Sequence, residues 1–172
     1  MGRLEEALVG HILNTSSSYK RDVMEQTIRD LLGASKLAKV TGLPARRGGA
    51  DGGIDGIIDI THTCKGVSTP KQAALNVKVR DSDFTREQLG GFLLDMDREK
   101  LTVGIILTAR NLSPDATYEF NRKNAEGMVY LIHIKLSDIL SGAINSVDIF
   151  IKGDSLNEVL ISKIKLLLLS AS

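Results

Sequence analysis

Three polar side chains with the chemistry of a cation site lie close together on two predicted strands. Asp55 lies near the start of the strand Ile54–Ile60, and Asn76 and Lys78 lie on the strand Ala74–Arg80. Side chains alternate between the two faces of a strand, so Asn76 and Lys78 share one face, and pairing in register would place Asp55 beside them. Mg²⁺ binds oxygen ligands of this type, and a lysine can orient or deprotonate an attacking water.

Each of these residues also has a purely structural interpretation. Asp55 follows a run of glycines, and because Asp is common in turns it could cap the loop before its strand. Lys78 between two valines is also typical of an edge strand protected by a charge. Asp59 shares the face of Asp55 and is either an additional ligand or an ordinary solvated strand residue. The sequence leaves these alternatives open.

The elements that must position these side chains indicate a mixed α/β sheet with helices on both faces. Apolar residues at helical spacing predict a helix over 19–32. The two strands are expected to form an antiparallel pair, joined by a loop that contains Gly66, Ser68 and Pro70. The other predicted elements are a weak strand over 36–43, helices over 1–13, 85–95, 114–127 and 156–169, strands over 101–108, 128–134 and 146–152, and a short helix capped by Ser137.

Length and composition describe one ordinary soluble domain. The chain has 172 residues, of which 42% are hydrophobic and 25% charged. One Cys and three His exclude an intrachain disulfide and a Cys-rich zinc site, and they favour a reducing, cytoplasmic setting. No signal peptide is predicted at the N-terminus, and the longest apolar run, Leu166–Leu169, is too short to span a membrane. Phosphate-loop and serine-hydrolase motifs are also missing from the sequence.

The charge is unevenly distributed along the chain. The net charge is +1, yet the segment from Leu32 to Arg80 carries eight basic residues against three acidic ones, a net charge of +5. Such a segment suits an anionic partner such as DNA. Within it, Arg46 and Arg47 stand beside flexible glycines, where they could hold phosphate oxygens or simply aid solubility.

Taken together, these segments resemble the PD-(D/E)xK nuclease superfamily, and within it the Mrr-type restriction endonucleases. The resemblance covers about 19–140 and leaves both ends of the chain unexplained. It rests on Asp51-Gly52-Gly53-Ile54-Asp55-Gly56, on Asn76-Val77-Lys78, on Glu25 in the preceding helix, and on the order of the later elements, which include Leu89-Gly90-Gly91, Gly104-Ile105-Ile106-Leu107-Thr108 and Tyr130-Leu131-Ile132.

The resemblance implies a restriction-endonuclease-like mixed sheet in αβββαβ order and hydrolysis of DNA phosphodiesters by a Mg²⁺-activated water, with Mn²⁺ as a possible substitute. It assigns metal binding to Asp55 and Asn76, the catalytic lysine to Lys78, and the helix acid to Glu25. A helical Glu at the rim of an apolar stripe is equally consistent with a solvent-facing position. The residues expected to contact DNA are Arg46, Arg47 and Arg80.

One departure from the family pattern bears on activity. Asn76 stands where the family has Glu, Asp or Gln, and a neutral amide attracts Mg²⁺ less than a carboxylate does. The alternatives are therefore a catalytically silent DNA-binding or assembly module of a restriction or repair complex, or a Holliday-junction resolvase. Expected partners are DNA, a second copy of the chain and a separate DNA-targeting subunit. The predicted organisation is an N-terminal helical extension over 1–18, a nuclease-like core over 19–140, and a tail over 141–172 within the same domain.

Overall fold

The protein is described here from a computed structural model, which describes residues 2–16, 19–36, 53–146 and 148–171. The predicted strand over 36–43 and most of the glycine-rich loop lie outside these residues. The described chain forms one six-stranded mixed sheet with strand order β4-β3-β2-β1-β5-β6. The strands are β1 Gly56–Cys64, β2 Val67–Lys78, β3 Val103–Thr108, β4 Tyr130–Lys135, β5 Ile149–Ile151 and β6 Asp154–Ser155.

Helices cover both faces of this sheet. In two places a π-helical segment continues directly into an α-helix. The resulting continuous helical segments cover 19–31 and 156–171. The helices are α1 Arg3–Leu13, a π-helical segment Tyr19–Glu25 that runs into α2 Gln26–Leu31, α3 Arg86–Arg98, α4 Pro114–Glu126, α5 Leu136–Ser141, α6 Leu156–Val159, a π-helical segment Leu160–Ile164, and α7 Lys165–Ala171. The predicted α/β class is therefore confirmed.

The first two strands form a longer hairpin than the sequence suggests. β1 and β2 pair antiparallel from Gly56 opposite Leu75 to Cys64 opposite Val67. Ser68 and Pro70, expected in the connecting loop, lie within β2, so that expectation was wrong. Proline is accepted there because β3 pairs with β2 only from Ala73 onward, which leaves the Pro70 side of the strand without a neighbour on that edge.

Alternation along the strands divides the core into two layers. Leu75, Val77 and Val79 point to the layer that contains α2, while Ala74 belongs to the layer under α3. Asn76 and Lys78 share the face of Ala74, because side chains two residues apart lie on the same face. Asn76 and Lys78 therefore follow the buried Ala74 on one face at the end of β2.

Close packing beneath α3 gives the first prediction. A Cβ atom on Gly104 would lie 2.8 Å from Phe92 Cε1 and 2.9 Å from both Leu131 Cδ2 and Met96 Sδ. We expect Gly104→Ala to lower the free energy of unfolding by about 1–3 kcal/mol, because these buried side chains must move. Urea unfolding followed by circular dichroism measures the change. Gly90→Ala is the control: nothing lies within 4 Å of its Cβ position, and an exposed helical alanine should stabilise by up to about 1 kcal/mol.

The short helix α5 begins two residues earlier than the sequence suggests. Ser137, expected to cap the short helix, instead lies inside α5 and is buried; the cap is Lys135, whose backbone N–H donates to Asp138 Oδ2 at 3.2 Å. Asp138 can reach back to this N–H from the third helical position, and this reciprocal bond defines the start of the helix.

Both chain ends contribute to the same core. Val9 and Ile12 of α1 and Ile164 and Leu168 of the C-terminal helix are buried with the sheet residues. In the same C-terminal helix, the apolar residues that remain exposed are Ile161, Leu166 and Leu169. Within the described residues, no helix is long and apolar enough to cross a membrane.

Candidate active site

The hairpin brings Asp55 directly to the end of β2. The β1–β2 register places Gly56 opposite Leu75, and the Asp55 backbone N–H donates to the Leu75 carbonyl at 2.8 Å. The Asp55 carboxylate accepts a hydrogen bond at Oδ2 from the Val77 N–H, also at 2.8 Å. Asp55 is thus fixed by the strand that carries Asn76 and Lys78.

Asn76 has one satisfied and one unsatisfied side-chain atom. The residue is 0% exposed, and its Nδ2 donates to the Gly53 carbonyl at 2.6 Å. Its Oδ1 is buried and has no hydrogen-bond partner among the described residues. Leaving a buried acceptor unpaired costs about 1–3 kcal/mol. The Asn76 Oδ1 is therefore an acceptor to which a hydrogen-bond donor or a cation could bind.

Glu25 approaches the same strand from the other helical layer. It is the last residue of the π-helical segment, follows the buried Met24, and is itself only 5% exposed. Its Oε1 accepts a hydrogen bond from the backbone N–H of Val79 at 2.9 Å. The solvent-facing interpretation of Glu25 was wrong, because the carboxylate is directed toward the end of β2.

Lys78 occupies a central strand. β2 pairs with β1 on one side and with β3 on the other, where Lys78 lies opposite Thr108. The interpretation of Lys78 as a charge that protects an edge strand was therefore wrong, because β2 is a central strand. Lys78 and Arg80 are both close enough to lower the pKa of Glu25 and of Asp55 electrostatically. The structure thus brings together the predicted residues Glu25, Asp55, Asn76, Lys78 and Arg80.

Arg29 is a site residue that the sequence interpretation missed. It lies one helical turn after Glu25, and its Nη1 is 3.8 Å from Asp55 Oδ1. Spacing by four residues places two helical side chains on one face, so this signal was present in the sequence. The Gly53 carbonyl, which holds the Asn76 amide, was missed as well, since a backbone acceptor has no signature in residue type.

Other candidate residues lie apart from this cluster. Asp59 is exposed and accepts a hydrogen bond from Gln72 Nε2 at 3.2 Å, which agrees with a solvated strand position. His133 Nε2 is bonded to the Thr108 hydroxyl at 2.7 Å, as expected for a satisfied sheet residue. In the described ranges there is no cluster of three His, Cys, Asp or Glu side chains that could hold a metal ion. Arg46 and Arg47 lie outside the described residues.

A groove of about 1040 Å³ runs along β4 on the opposite side of β3 from β2. Its lining includes Asn121, His133 and Ser146, and it contains none of the candidate catalytic residues found in the described chain. The groove is therefore distinct from the Asp55 cluster.

Burial shifts the acid–base balance of the cluster. Burial raises the pKa of Glu25, and the Val79 N–H acts in the opposite direction. Burial likewise raises the pKa of Asp55, opposed by the Val77 N–H and the nearby cations. Glu25 is buried and Asp55 is half-buried, and carboxylates with raised pKa values next to cationic side chains are common at functional sites.

The raised pKa of Glu25 predicts a pH-dependent stability difference. A raised pKa favours the folded state below the unfolded pKa, and this contribution is lost as the pH rises through the folded pKa. Glu25→Gln keeps the acceptor for Val79, so its stability relative to the wild type should increase as the pH rises from below the pKa of an ordinary Glu to above the raised pKa of Glu25. Urea unfolding at each pH measures it. Glu87→Gln should change with pH in the opposite direction, because hydrogen bonds lower the pKa of that exposed acid.

The donor set fits a hard divalent cation. Asp55 Oδ1 accepts no hydrogen bond from the described residues, its contact with Arg29 being an ion pair at 3.8 Å, and the unpartnered Asn76 Oδ1 is a second oxygen donor. Mg²⁺ is commonly held by one or two carboxylates and keeps several waters, so a full cage of protein ligands is unnecessary. Asp55 and Asn76 would hold such an ion, with Glu25 next to them.

A mixed sheet with an amide and a lysine at the end of its second strand, and an acid that contacts this end from just before the first strand, is the arrangement of the restriction-endonuclease-like class of α/β proteins. A family model described as Restriction endonuclease, that of the Mrr catalytic domain, matches residues 17–140. That is well over half of the chain, and the chain therefore belongs to this family of nucleases. The resemblance read from the sequence is confirmed. Among the curated proteins, none matches this sequence.

Two solved structures are similar to the chain. One is described as the DNA modification-dependent restriction endonuclease AspBHI, with a TM-score of 0.56 and 13% identity over 99% of this chain and 40% of that chain. The other is MspJI restriction endonuclease in complex with a 27-mer oligonucleotide, with a TM-score of 0.40 and 18% identity over 99% of this chain and 32% of that chain. The AspBHI similarity confirms the fold. The chain spans less than half the length of either protein.

Proposed function

We propose that the protein is a metal-dependent endodeoxyribonuclease of restriction type. The observation that carries this proposal is the buried, unpartnered Asn76 Oδ1 beside Asp55 at the end of β2, with Lys78 on the same face of that strand. These are the functional groups that metal-assisted phosphodiester hydrolysis requires: oxygen ligands and a cationic side chain. Mg²⁺ is the proposed ion, and Mn²⁺ is a proposed substitute.

The roles of the residues follow from their positions. Asp55 and Asn76 would hold the ion, Glu25 would add negative charge nearby, and Lys78 would orient the attacking water or offset charge on the phosphate. The chemistry that a bound divalent cation supplies is activation of the water and neutralisation of the developing negative charge. Arg80, together with Arg46 and Arg47, is proposed to contact the DNA backbone.

DNA is the proposed substrate, and the proposed assembly has two copies of the chain or a separate DNA-targeting subunit. Cutting both strands of a duplex needs two sites, which favours a dimer. The apolar side chains exposed on the C-terminal helix, Leu166 and Leu169, are compatible with such an interface. A reducing, cytoplasmic setting is proposed as well, since Cys64 is exposed and unpaired.

The test is cleavage of supercoiled plasmid, prepared with and without methylation, in Mg²⁺, in Mn²⁺ and in EDTA. We expect nicked or linear product with either ion and intact plasmid in EDTA. Cleavage that persists in EDTA would contradict the metal-dependent mechanism.

A second candidate, a DNA-binding module without cleavage, is favoured by one observation. Asn76 is neutral, and its Nδ2 is already engaged by the Gly53 carbonyl, so it offers a cation a single oxygen and no charge. Salt-dependent binding to duplex DNA with intact plasmid in every lane would support this candidate. Preference for a four-way junction over linear duplex would instead support the resolvase alternative.

A further inference from the structure

The Asp55 carboxylate is held on both sides before any metal arrives. Oδ2 accepts the Val77 N–H at 2.8 Å, and Oδ1 faces the Arg29 guanidinium at 3.8 Å. The first contact is a hydrogen bond from the backbone next to Lys78, and it fixes Asp55 against β2. The second is a charge contact only, longer than a hydrogen bond, and it lies on the oxygen that remains for a cation.

Arg29 is held beside Asp55 by its own helix. Its Nη2 donates to Gln26 Oε1 at 2.9 Å, and Gln26 Nε2 in turn donates to Asp30 Oδ1 at 2.8 Å. The Arg29 side chain is only 18% exposed. A guanidinium that is tethered in this way and shielded from water keeps its charge at a fixed place, so its electrostatic effect on Asp55 is weakly screened.

We propose that Arg29 is a resident counter-cation of the metal site, which competes with a divalent ion for the Asp55 carboxylate and so lowers the metal affinity of the DNA-free protein. The inference rests on the proposed function, because it requires that Asp55 binds the ion. Two cations cannot approach one carboxylate oxygen without repulsion, and the interaction is strong where the surroundings exclude water.

The competition has a consequence for substrate binding. A phosphate is a better partner for a guanidinium than a carboxylate oxygen at 3.8 Å, because it can accept two parallel N–H bonds. A DNA phosphate that reaches the site therefore offers Arg29 another partner and releases Asp55 to the ion. Metal and DNA then bind cooperatively, and the loaded site forms mainly where substrate is present.

The test is calorimetric titration of the DNA-free protein with MnCl₂. We expect Arg29→Met to bind Mn²⁺ more tightly than the wild type by roughly three- to ten-fold, since the aliphatic stem remains and the charge is lost. Arg29→Lys keeps the charge and should stay within about two-fold of the wild type. Arg122→Met, which removes a guanidinium from the exposed surface of α4, should leave Mn²⁺ binding unchanged. Thermal unfolding without metal verifies that each variant is folded.

Asp55→Asn separates the two ways in which this can fail. One failure is that Asp55→Asn loses Mn²⁺ binding while Arg29→Met binds Mn²⁺ no more tightly than the wild type. This result would overturn the role of Arg29 and leave the proposed metal site intact. If Arg29→Met is not stably folded, Arg29→Gln replaces it, with the same expected increase. Absence of Asp55-dependent Mn²⁺ binding in both the wild type and the Arg29 variants would overturn the inference together with the proposed metal site.

Discussion

Asp55→Asn is expected to abolish DNA cleavage, with a loss of at least about 10²–10⁴-fold in rate, because it removes the carboxylate that we propose binds the metal ion. The replacement is nearly isosteric and retains an oxygen that can accept the Val77 N–H. The negative charge is lost, and the oxygen that faces Arg29 becomes an amide N–H donor that cannot bind a cation. Plasmid cleavage at saturating Mg²⁺ and calorimetric titration with Mn²⁺ measure the two consequences.

The same variant should fold at least as stably as the wild type. Burial raises the pKa of Asp55, which means that the charged carboxylate is costly in the folded state, although nearby cations offset part of this cost. An amide avoids that cost, because it is neutral at every pH. Loss of activity with retained or increased thermal stability would identify Asp55 as a functional and not a structural residue.

Asp59→Asn is the matched control. Asp59 lies four residues later, within β1, and is exposed. In the described structure, its side chain accepts a hydrogen bond from Gln72. It should cleave DNA as fast as the wild type. Equal loss of activity in both variants would point to a general effect of charge on DNA binding and would contradict the role given to Asp55.

Lys78→Met is expected to have the other large effect, a loss of about 10²–10⁴-fold in the cleavage rate. Methionine retains most of the aliphatic chain of Lys78, and the pairing of this position with Thr108 of β3 involves only the backbone, so the strand should be preserved. The ammonium group, which we propose orients the water or stabilises the phosphate, is removed. Binding of duplex DNA should weaken far less than cleavage, since one charge among several in the basic segment is lost.

Lys71→Met tests whether the loss is specific. Lys71 is on the same strand, seven residues earlier and thus roughly 23 Å away along β2, and its removal changes the net charge equally. A large defect in Lys78→Met with a small one in Lys71→Met would support a catalytic role. If the two variants bind and cleave DNA equally well, Lys78 is not part of the reaction.

The strand pairing around the site was predictable from local patterns. Alternation of apolar and polar residues placed Asn76 and Lys78 on one face, and the antiparallel hairpin put Asp55 beside them, as observed. These patterns are reliable because backbone geometry fixes the two-residue alternation of side chains along a strand and the register of a hairpin. The lengths of the strands were underestimated, since Pro70 suggested a loop but lies where β2 has only one neighbour.

Contacts between distant segments could not be read from the sequence. Glu25 and Val79 are 54 residues apart, and the sequence alone left Glu25 equally compatible with solvent. Burial of that carboxylate depends on how α2 packs on the sheet, which is a tertiary property. The same holds for the Asn76 amide, whose direction toward the Gly53 carbonyl determines which of its two polar atoms remains unpartnered.

The neutral side chain of Asn76 has a physical explanation that links stability and function. A carboxylate at this fully buried position would be a third acidic group in the cluster, beside Asp55 and near Glu25. The amide avoids that repulsion and fixes the Gly53 carbonyl through Nδ2. Weaker metal attraction is the expected cost, which Arg29 increases further in the DNA-free protein.

The central claim, that Asp55 and Asn76 form a divalent-metal site next to Lys78, is tested most directly by diffraction from crystals soaked in MnCl₂, with data collected for the anomalous signal of manganese. The predicted result is an anomalous peak about 2.1 Å from a carboxylate oxygen of Asp55 and from Asn76 Oδ1, absent from crystals of Asp55→Asn. Manganese bound only at other acidic residues, with the Asp55–Arg29 contact unchanged, would contradict the claim.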